Sequence, residues 1–270
     1  MDKITVPKIK RFKGRKAIAA LTAYDFLTAR ILDEAEVDII LVGDSVGTTI
    51  QGLSSTIPVK MEEMLYHTRI VKRGVKRALV VGDMPFLSYQ TSQEDAIRNA
   101  GLFLKEGAEA IKLEGGKNVA PLIKKLVSCG IPVMGHIGLT PQSVNLLGGY
   151  KIQGKTEKKK ERLITDAKAL EEAGVFSIIL EGMPEEVGKE ITESISIPAI
   201  GIGAGRFCDG QILVITDMLG MDPMFTPHFV KKYRDLYEEI KSAVSEYIED
   251  IKTQKFPSEE HVFHLKKKEE

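Results

Sequence analysis

Apolar residues fall along the chain in short unbroken runs, and several of these runs stop at an acid. Ile39 to Val42 lead through Gly43 to Asp44, within VDIILVGDSVG. RALVVGD ends at Asp83, EAIKLEGG passes through Glu114, and VFSIILEG passes through Glu181. Short runs rich in β-branched residues fit strands buried on both faces, as in a parallel sheet. Read in order, strands are expected over Lys16–Asp25, up to Asp44, up to Asp83, up to Glu114, over Ile131–Gly138, up to Glu181, over Ile197–Gly205 and over Asp209–Asp217. Helices are expected between most of them. One runs from about Asp25 to Glu34, and one over Met61–Gly74 carries Met61, Met64, Leu65, Thr68 and Val71 on one face. One opens at Thr91 or Ser92 with Asp95 as a capping pair and runs to about Gly107. Others run to Gly130, around Leu163–Leu170, over Glu185–Ser194, and over Phe229–Ile251 as a long amphipathic segment. Residues 1–14 read as a basic, irregular lead-in across one end of the sheet, and residues 252–270 as a charged tail. The segment from Thr48 to Lys60 is a polar connection without helical period, and that from Gly138 to Lys160 is an excursion rich in glycine, polar residues and lysine.

Eight strands alternating with helices predict a parallel sheet, and eight units predict a closed TIM-type (β/α)8 barrel in a single domain. The acidic, small, apolar, glycine sequence recurs near Ala35, Gly107 and Ala173, two units apart each time. An open doubly wound sheet is the main rival. It would more often carry a glycine-rich phosphate turn after its first strand, where this chain has none. GIGAG at 201–205 follows strand seven instead and fits either anion binding or close packing.

The 270 residues suffice for such a barrel. With 38 basic and 38 acidic residues the formal net charge is zero, which gives no general attraction to nucleic acid or anionic membrane. No apolar run approaches the roughly 20 residues of a membrane span, and MDKITVPKIK is no secretory signal. Cys129 and Cys208 lack metal-ligand spacing, so the expectation is a reduced, cytoplasmic protein without a nucleophilic cysteine.

Barrel strand ends converge on one mouth, so Asp44, Asp83, Glu114 and Glu181 are expected to crowd together. Two carboxylates about 4 Å apart repel by roughly 4 kcal/mol at an effective dielectric near 20. One must stay protonated or a cation must sit between them. Oxygen ligands favour Mg²⁺. The alternative is that each acid only caps the helix after it. Lys112 lies two residues before Glu114 and shares its face. An inward lysine beside a metal points to an anionic substrate, or else to a simple Lys–Glu pair. His136 is either a substrate donor or a structural histidine. Ser45 either holds a carboxylate or caps a helix, and His67 reads as structural.

The motifs GDSVG (43–47), STIPVK with EMLYHT (55–68), GDMPF (82–86), IKLEGG (111–116), GHIGLTPQS, GGYKIQG (148–154), LEG (180–182), GIGAG and DGQILV resemble the 3-methyl-2-oxobutanoate hydroxymethyltransferase family over nearly the whole chain. Lys60 stands where Thr is expected and Val262 where Ser is usual, neither at a strand end. The resemblance implies a barrel of the phosphoenolpyruvate/pyruvate-binding type and commonly a homodecamer. It implies transfer of a hydroxymethyl group from 5,10-methylenetetrahydrofolate to 3-methyl-2-oxobutanoate through a Mg²⁺-stabilised enolate. The product is 2-dehydropantoate, at the first committed step toward pantothenate and coenzyme A. It implies that Asp44 and Asp83 bind Mg²⁺ with Glu114 close by or bound through water, that Ser45 and Lys112 hold the keto acid, and that Glu181 is the base. A Mg²⁺-dependent lyase or mutase of another 2-oxo acid is the alternative.

Overall fold

The computed structural model describes residues 2–224 and 226–265. The chain divides into two compact units, residues 1–215 and 216–270. The first is a closed barrel of eight parallel strands in sequential order: β1 (Ile18–Thr22), β2 (Ile39–Val42), β3 (Leu79–Asp83), β4 (Ala110–Glu114), β5 (Val133–Gly138), β6 (Ser177–Glu181), β7 (Ala199–Ile202) and β8 (Gly210–Leu213). The TIM-type barrel expected from the sequence is therefore the fold observed.

Alternation within each strand divides the side chains into two sets. Ile39, Leu41, Leu79, Val81, Ala110, Met134, Ile179, Ile200 and Ile212 form one buried cluster inside the barrel. One step further along the same inward faces come Asp83 on β3, Lys112 and Glu114 on β4, His136 on β5 and Glu181 on β6. The interior is thus apolar below and polar at the carboxyl ends of the strands, where barrel sites lie. Outward residues pack under the helices. Gly82 is glycine because the Phe103 ring lies where a Cβ would be.

The helices Phe26–Glu34, Met61–Gly74, Gln93–Lys105, Ala120–Ser128, Glu157–Ala173 and Glu185–Ser194 stand close to the expected spans. Ser92 caps the third, accepting from the Asp95 N–H at 3.1 Å. Several expectations need correction. The lead-in is not irregular: Val6–Arg11 is a helix, and Ile4 and Ile9 join the barrel's buried cluster. β2 ends at Val42, two residues before Asp44. The polar connection after it opens with a short helix, Val46–Thr49, too brief to leave a periodic signal. Strands seven and eight are four residues each, and residues of the expected eighth strand turn into the helix Ile215–Met218.

In the second unit the expected helix starts later, at Leu236, and ends at Lys252. Asp235 sets that start as its N-cap, with Glu238 and Glu239 in the positive first turn. No residue of this helix is buried. Beyond it, the Phe256 ring lies against Tyr247 and His261, at centroid distances of 5.8 and 5.0 Å. Among the described residues no helix is long and apolar enough to cross a membrane.

The turn entering β3 hangs on one buried acid. Asp33 accepts from the backbone N–H groups of Lys76, Arg77 and Ala78 at 2.9, 2.9 and 2.7 Å. Burial pushes this carboxyl up, but the three donors outweigh it and hold it below the ordinary 3.8. Its contribution is therefore full above that unfolded value and lost as pH falls through the lower folded one. Asp33→Ala leaves these donors without a partner, at a cost of about 1–3 kcal/mol for each fully buried group. Urea unfolding at pH 7 is expected to show a loss of at least about 1–3 kcal/mol, and this difference from wild type should narrow in acid. Equal midpoints at pH 7 would rule the clamp out.

Candidate active site

Strand register builds the site. Asp83 on β3 lies directly beside Lys112 on β4, and Glu114 on β4 beside His136 on β5. Glu181 is two residues beyond Ile179, the β6 partner of His136, and so shares its face. The Lys112 ammonium donates to both oxygens of Asp83 at 2.8 Å and lies 3.7 Å from Glu114. Asp44 enters from just past β2, and its backbone N–H donates to Asp83 Oδ2 at 3.1 Å. The two aspartates expected to meet therefore do so, in a cavity that also touches Ser45, Glu114, His136 and Glu181. Lys112 and Glu114 share the interior face as expected, although the lysine's closest partner is Asp83.

The acids do not serve as helix caps. That role falls to Asp25 at the exit of β1, which accepts from the Thr28 N–H at 2.9 Å. Ser45 leads into the short helix, but its hydroxyl makes no cap bond and lies 2.8 Å from the Tyr24 hydroxyl. His67 is a tie between segments, its Nδ1 2.7 Å from the Tyr24 carbonyl. His136 is 2 % exposed and stands between two carboxylates, with Nδ1 3.4 Å from Glu114 and Nε2 3.1 Å from Glu181. Neither contact is aligned as a hydrogen bond.

The electrostatics reflect crowding. Burial, then Asp83, raise the Asp44 carboxyl well above the ordinary range, against the pull of Lys112 and the Gln142 amide. Burial works against charge on Lys112 too, but Asp83, Glu114 and Asp44 hold its ammonium above the usual lysine range. For His136, burial and Lys112 oppose protonation. Glu114 and Glu181 outweigh them and raise it to about 9. Burial raises Glu114, and His136 with Lys112 bring it below its usual value. The site holds more negative charge than its own cations balance, and Asp44 bears the excess.

That excess tests the fit of a divalent ion. Among the described residues no three acidic, histidine or cysteine side chains are grouped as a ready metal cage. Mg²⁺ commonly takes only one or two carboxylates and completes its shell with water and substrate. Asp44 and Asp83 meet that requirement. Glu114 is engaged elsewhere, with Oε2 accepting from the Gln142 N–H at 3.0 Å.

Sequence patterning does not single out Gln142 or Tyr89. Gln142 follows β5 in a 3-10 turn, Pro141–Ser143, and is 4 % exposed. Its amide donates to Asp44 Oδ2 and to the Met84 carbonyl, both at 2.9 Å. Tyr89 follows a turn in which Leu87 adopts a left-handed φ of 65°, and its hydroxyl donates to Gln142 Oε1 at 2.9 Å. The GIGAG loop is close packing. Gly188 has no room for a Cβ against the Ala204 carbonyl, and Glu185 takes the Arg206 N–H and guanidinium at 2.9 and 3.1 Å.

In shape this is a barrel of the kind found in the phosphoenolpyruvate mutase/isocitrate lyase superfamily. A phosphoenolpyruvate phosphomutase from Streptomyces platensis subsp. rosaceus superposes with a TM-score of 0.63 over 97% of this chain and 92% of that one, at 13% identity. 2,3-Dimethylmalate lyase, a member of that superfamily, gives 0.61 over 96% and 90%, at 16% identity. A phosphonopyruvate hydrolase complex with oxalate and Mg²⁺ gives 0.60 over 95% and 93%, at 12%. At such identities the likeness concerns fold alone.

Sequence carries the assignment further. The chain belongs to the ketopantoate hydroxymethyltransferase family, whose model matches residues 3–259. It is 57% identical over 265 residues to 3-methyl-2-oxobutanoate hydroxymethyltransferase of Thermotoga maritima, covering 98% of each chain. The Carboxydothermus hydrogenoformans enzyme of the same name is 56% identical over 266 residues, covering 97% of this chain and 96% of that one. The protein is accordingly a hydroxymethyltransferase.

Proposed function

We propose that the barrel mouth transfers a hydroxymethyl group from 5,10-methylenetetrahydrofolate to 3-methyl-2-oxobutanoate, giving 2-dehydropantoate on the route to pantothenate and coenzyme A. The observation that carries this reading is the meeting of Asp44, Asp83, Lys112 and Glu114 in one buried cluster beside Glu181. Asp44 and Asp83 would hold Mg²⁺, with Glu114 joined through water. When bound, the ion supplies Lewis-acid stabilisation of charge developing on the keto oxygen. The phosphonopyruvate hydrolase complex of the same fold holds Mg²⁺ together with oxalate, a small dicarboxylate. That supports a similar use of the mouth here.

The chain's own groups do the rest. Ser45 and Lys112 orient the keto acid, and Lys112 places positive charge near its oxyanion. Glu181 takes the proton from C3 while the electron pair moves to the keto oxygen. His136, which lines the same cavity with Nε2 3.1 Å from Glu181, is the side-chain donor for the keto acid. Water adds to the one-carbon unit, both of its bonds to folate nitrogen break, and the two nitrogens take the water's protons, which releases tetrahydrofolate. C3 then bonds to the freed one-carbon carbonyl, whose oxygen takes the proton held by Glu181 and becomes the new hydroxyl. A 10⁶-fold acceleration needs about 8 kcal/mol. General base catalysis contributes about 10²–10⁴-fold, so charge stabilisation at the oxyanion must carry a large share. A homodecamer is the assembly that the family resemblance adds.

Deuterium exchange at C3 of 3-methyl-2-oxobutanoate, followed by NMR in D₂O, tests the first half-reaction. Exchange is expected without folate, to stop on EDTA treatment, and to return with Mg²⁺. Exchange indifferent to EDTA would remove the metal from this scheme. Net turnover without methylenetetrahydrofolate would remove the cosubstrate.

A further inference from the structure

We propose that Gln142 is the positioning residue that fixes the Asp44 and Glu114 carboxylates for the bound cation. This deepens the metal-assisted reading above and rests on it.

Gln142 is not a strand residue, yet it joins the ends of three strands. Its backbone N–H donates to Glu114 Oε2 at the end of β4. One amide hydrogen goes to Asp44 Oδ2, just past β2, and the other to the Met84 carbonyl, just past β3. Its oxygen accepts from Tyr89, whose own oxygen accepts from the Glu114 N–H at 3.2 Å. The amide orientation is determined by its neighbours. The carbonyl of Met84 can only accept, so nitrogen must face it; the hydroxyl of Tyr89 can donate, so oxygen faces it. Rotating the amide by half a turn would set its oxygen against the Met84 carbonyl. Both polar atoms of the Gln142 side chain are therefore buried and paired, and networks of this kind specify one arrangement.

The consequence for Asp44 is specific. The amide engages Oδ2 and leaves Oδ1 as the oxygen for a ligand. It also fixes the rotation of a carboxylate that extends beyond its strand, where no ladder bond restrains it. Glu114 is held through a different atom of the same residue, so both acids are referenced to one turn. Partners of this kind around metal ligands typically alter metal affinity or activity by about 10–100-fold when removed.

The test uses the full-length protein and Mn²⁺ alone, with free ion measured by electron paramagnetic resonance. Gln142→Met keeps the side chain's length and removes its donors. Tyr89→Phe keeps the ring and removes the hydroxyl that aims the amide. Circular dichroism and the melting temperature confirm that each is folded. Gln142→Met is expected to bind Mn²⁺ about 10–100-fold more weakly, and Tyr89→Phe several-fold more weakly, at unchanged folded fraction. A merely structural role would lower the melting temperature without changing the affinity of the folded protein. If wild type binds Mn²⁺ and the folded variants bind it equally well, the positioning role is overturned and the metal site stands. If wild type does not bind Mn²⁺, the metal reading fails and this inference with it. Should Gln142→Met not fold, Tyr89→Phe decides.

Discussion

Glu181→Gln is expected to retain the keto acid and lose turnover. The amide is isosteric, so the contact to His136 at 3.1 Å can persist in geometry, but an amide cannot take a proton from carbon. General base catalysis is worth about 10²–10⁴-fold, so kcat should fall within that range while the Kd for 3-methyl-2-oxobutanoate stays within a few-fold of wild type. C3 deuterium exchange should fall in parallel, because it depends on the same proton transfer. Isothermal titration with Mg²⁺ present, together with the exchange rate, separates the two effects. Near-wild-type kcat would reassign the base. His136 would then be the first group to examine, since it faces the same cavity.

Lys112→Met is expected to have an even wider effect, on stability and chemistry together. Lys112 is 4 % exposed, and its ammonium is shared among carboxylates, with Asp83 at 2.8 Å and Glu114 at 3.7 Å. Removing one member of a buried ionic cluster typically costs about 3–5 kcal/mol, because the partners remain buried without their counter-charge. In a chain of this size that corresponds to a melting temperature lower by roughly 10 °C. Because the positive charge near the oxyanion is also lost, kcat should drop by about 10²–10³-fold. Mg²⁺ should restore more of the melting temperature in the variant than it adds to wild type, because it supplies charge to the same acids. A variant that melts like wild type without metal would mean that the carboxylates are neutral in the folded state.

The barrel was legible because its strands are buried on both faces. Such strands are apolar over most of their length, with the ion-paired Lys112 inside β4 as an exception, and Asp83, Glu114 and Glu181 mark the strand ends to the residue. The convergence of the acids followed from closure alone. What stayed hidden lies where the backbone has no period. Gln142 sits in a three-residue turn and Tyr89 in a bend containing a left-handed leucine. Their importance is defined by partners 53 positions apart in the chain, at 2.9 Å in space. No spacing rule reports such a pair. The late start of the last helix has a similar origin, since its apolar stripe continues upstream of Asp235 although the cap stops the helix there. The relation of Lys112 to Asp83 was hidden for a different reason: it depends on the register between β3 and β4, which neither strand encodes by itself.

The glycine-rich loop after β7 has one more implication. Elsewhere such a loop would offer its amides to the terminal phosphate of a metabolite. Here the Arg206 N–H and guanidinium are already occupied by the chain's own Glu185 carboxylate. The cradle is thus filled from within the chain: an acid and a base that neutralise each other hold the turn where a bound anion would otherwise do so.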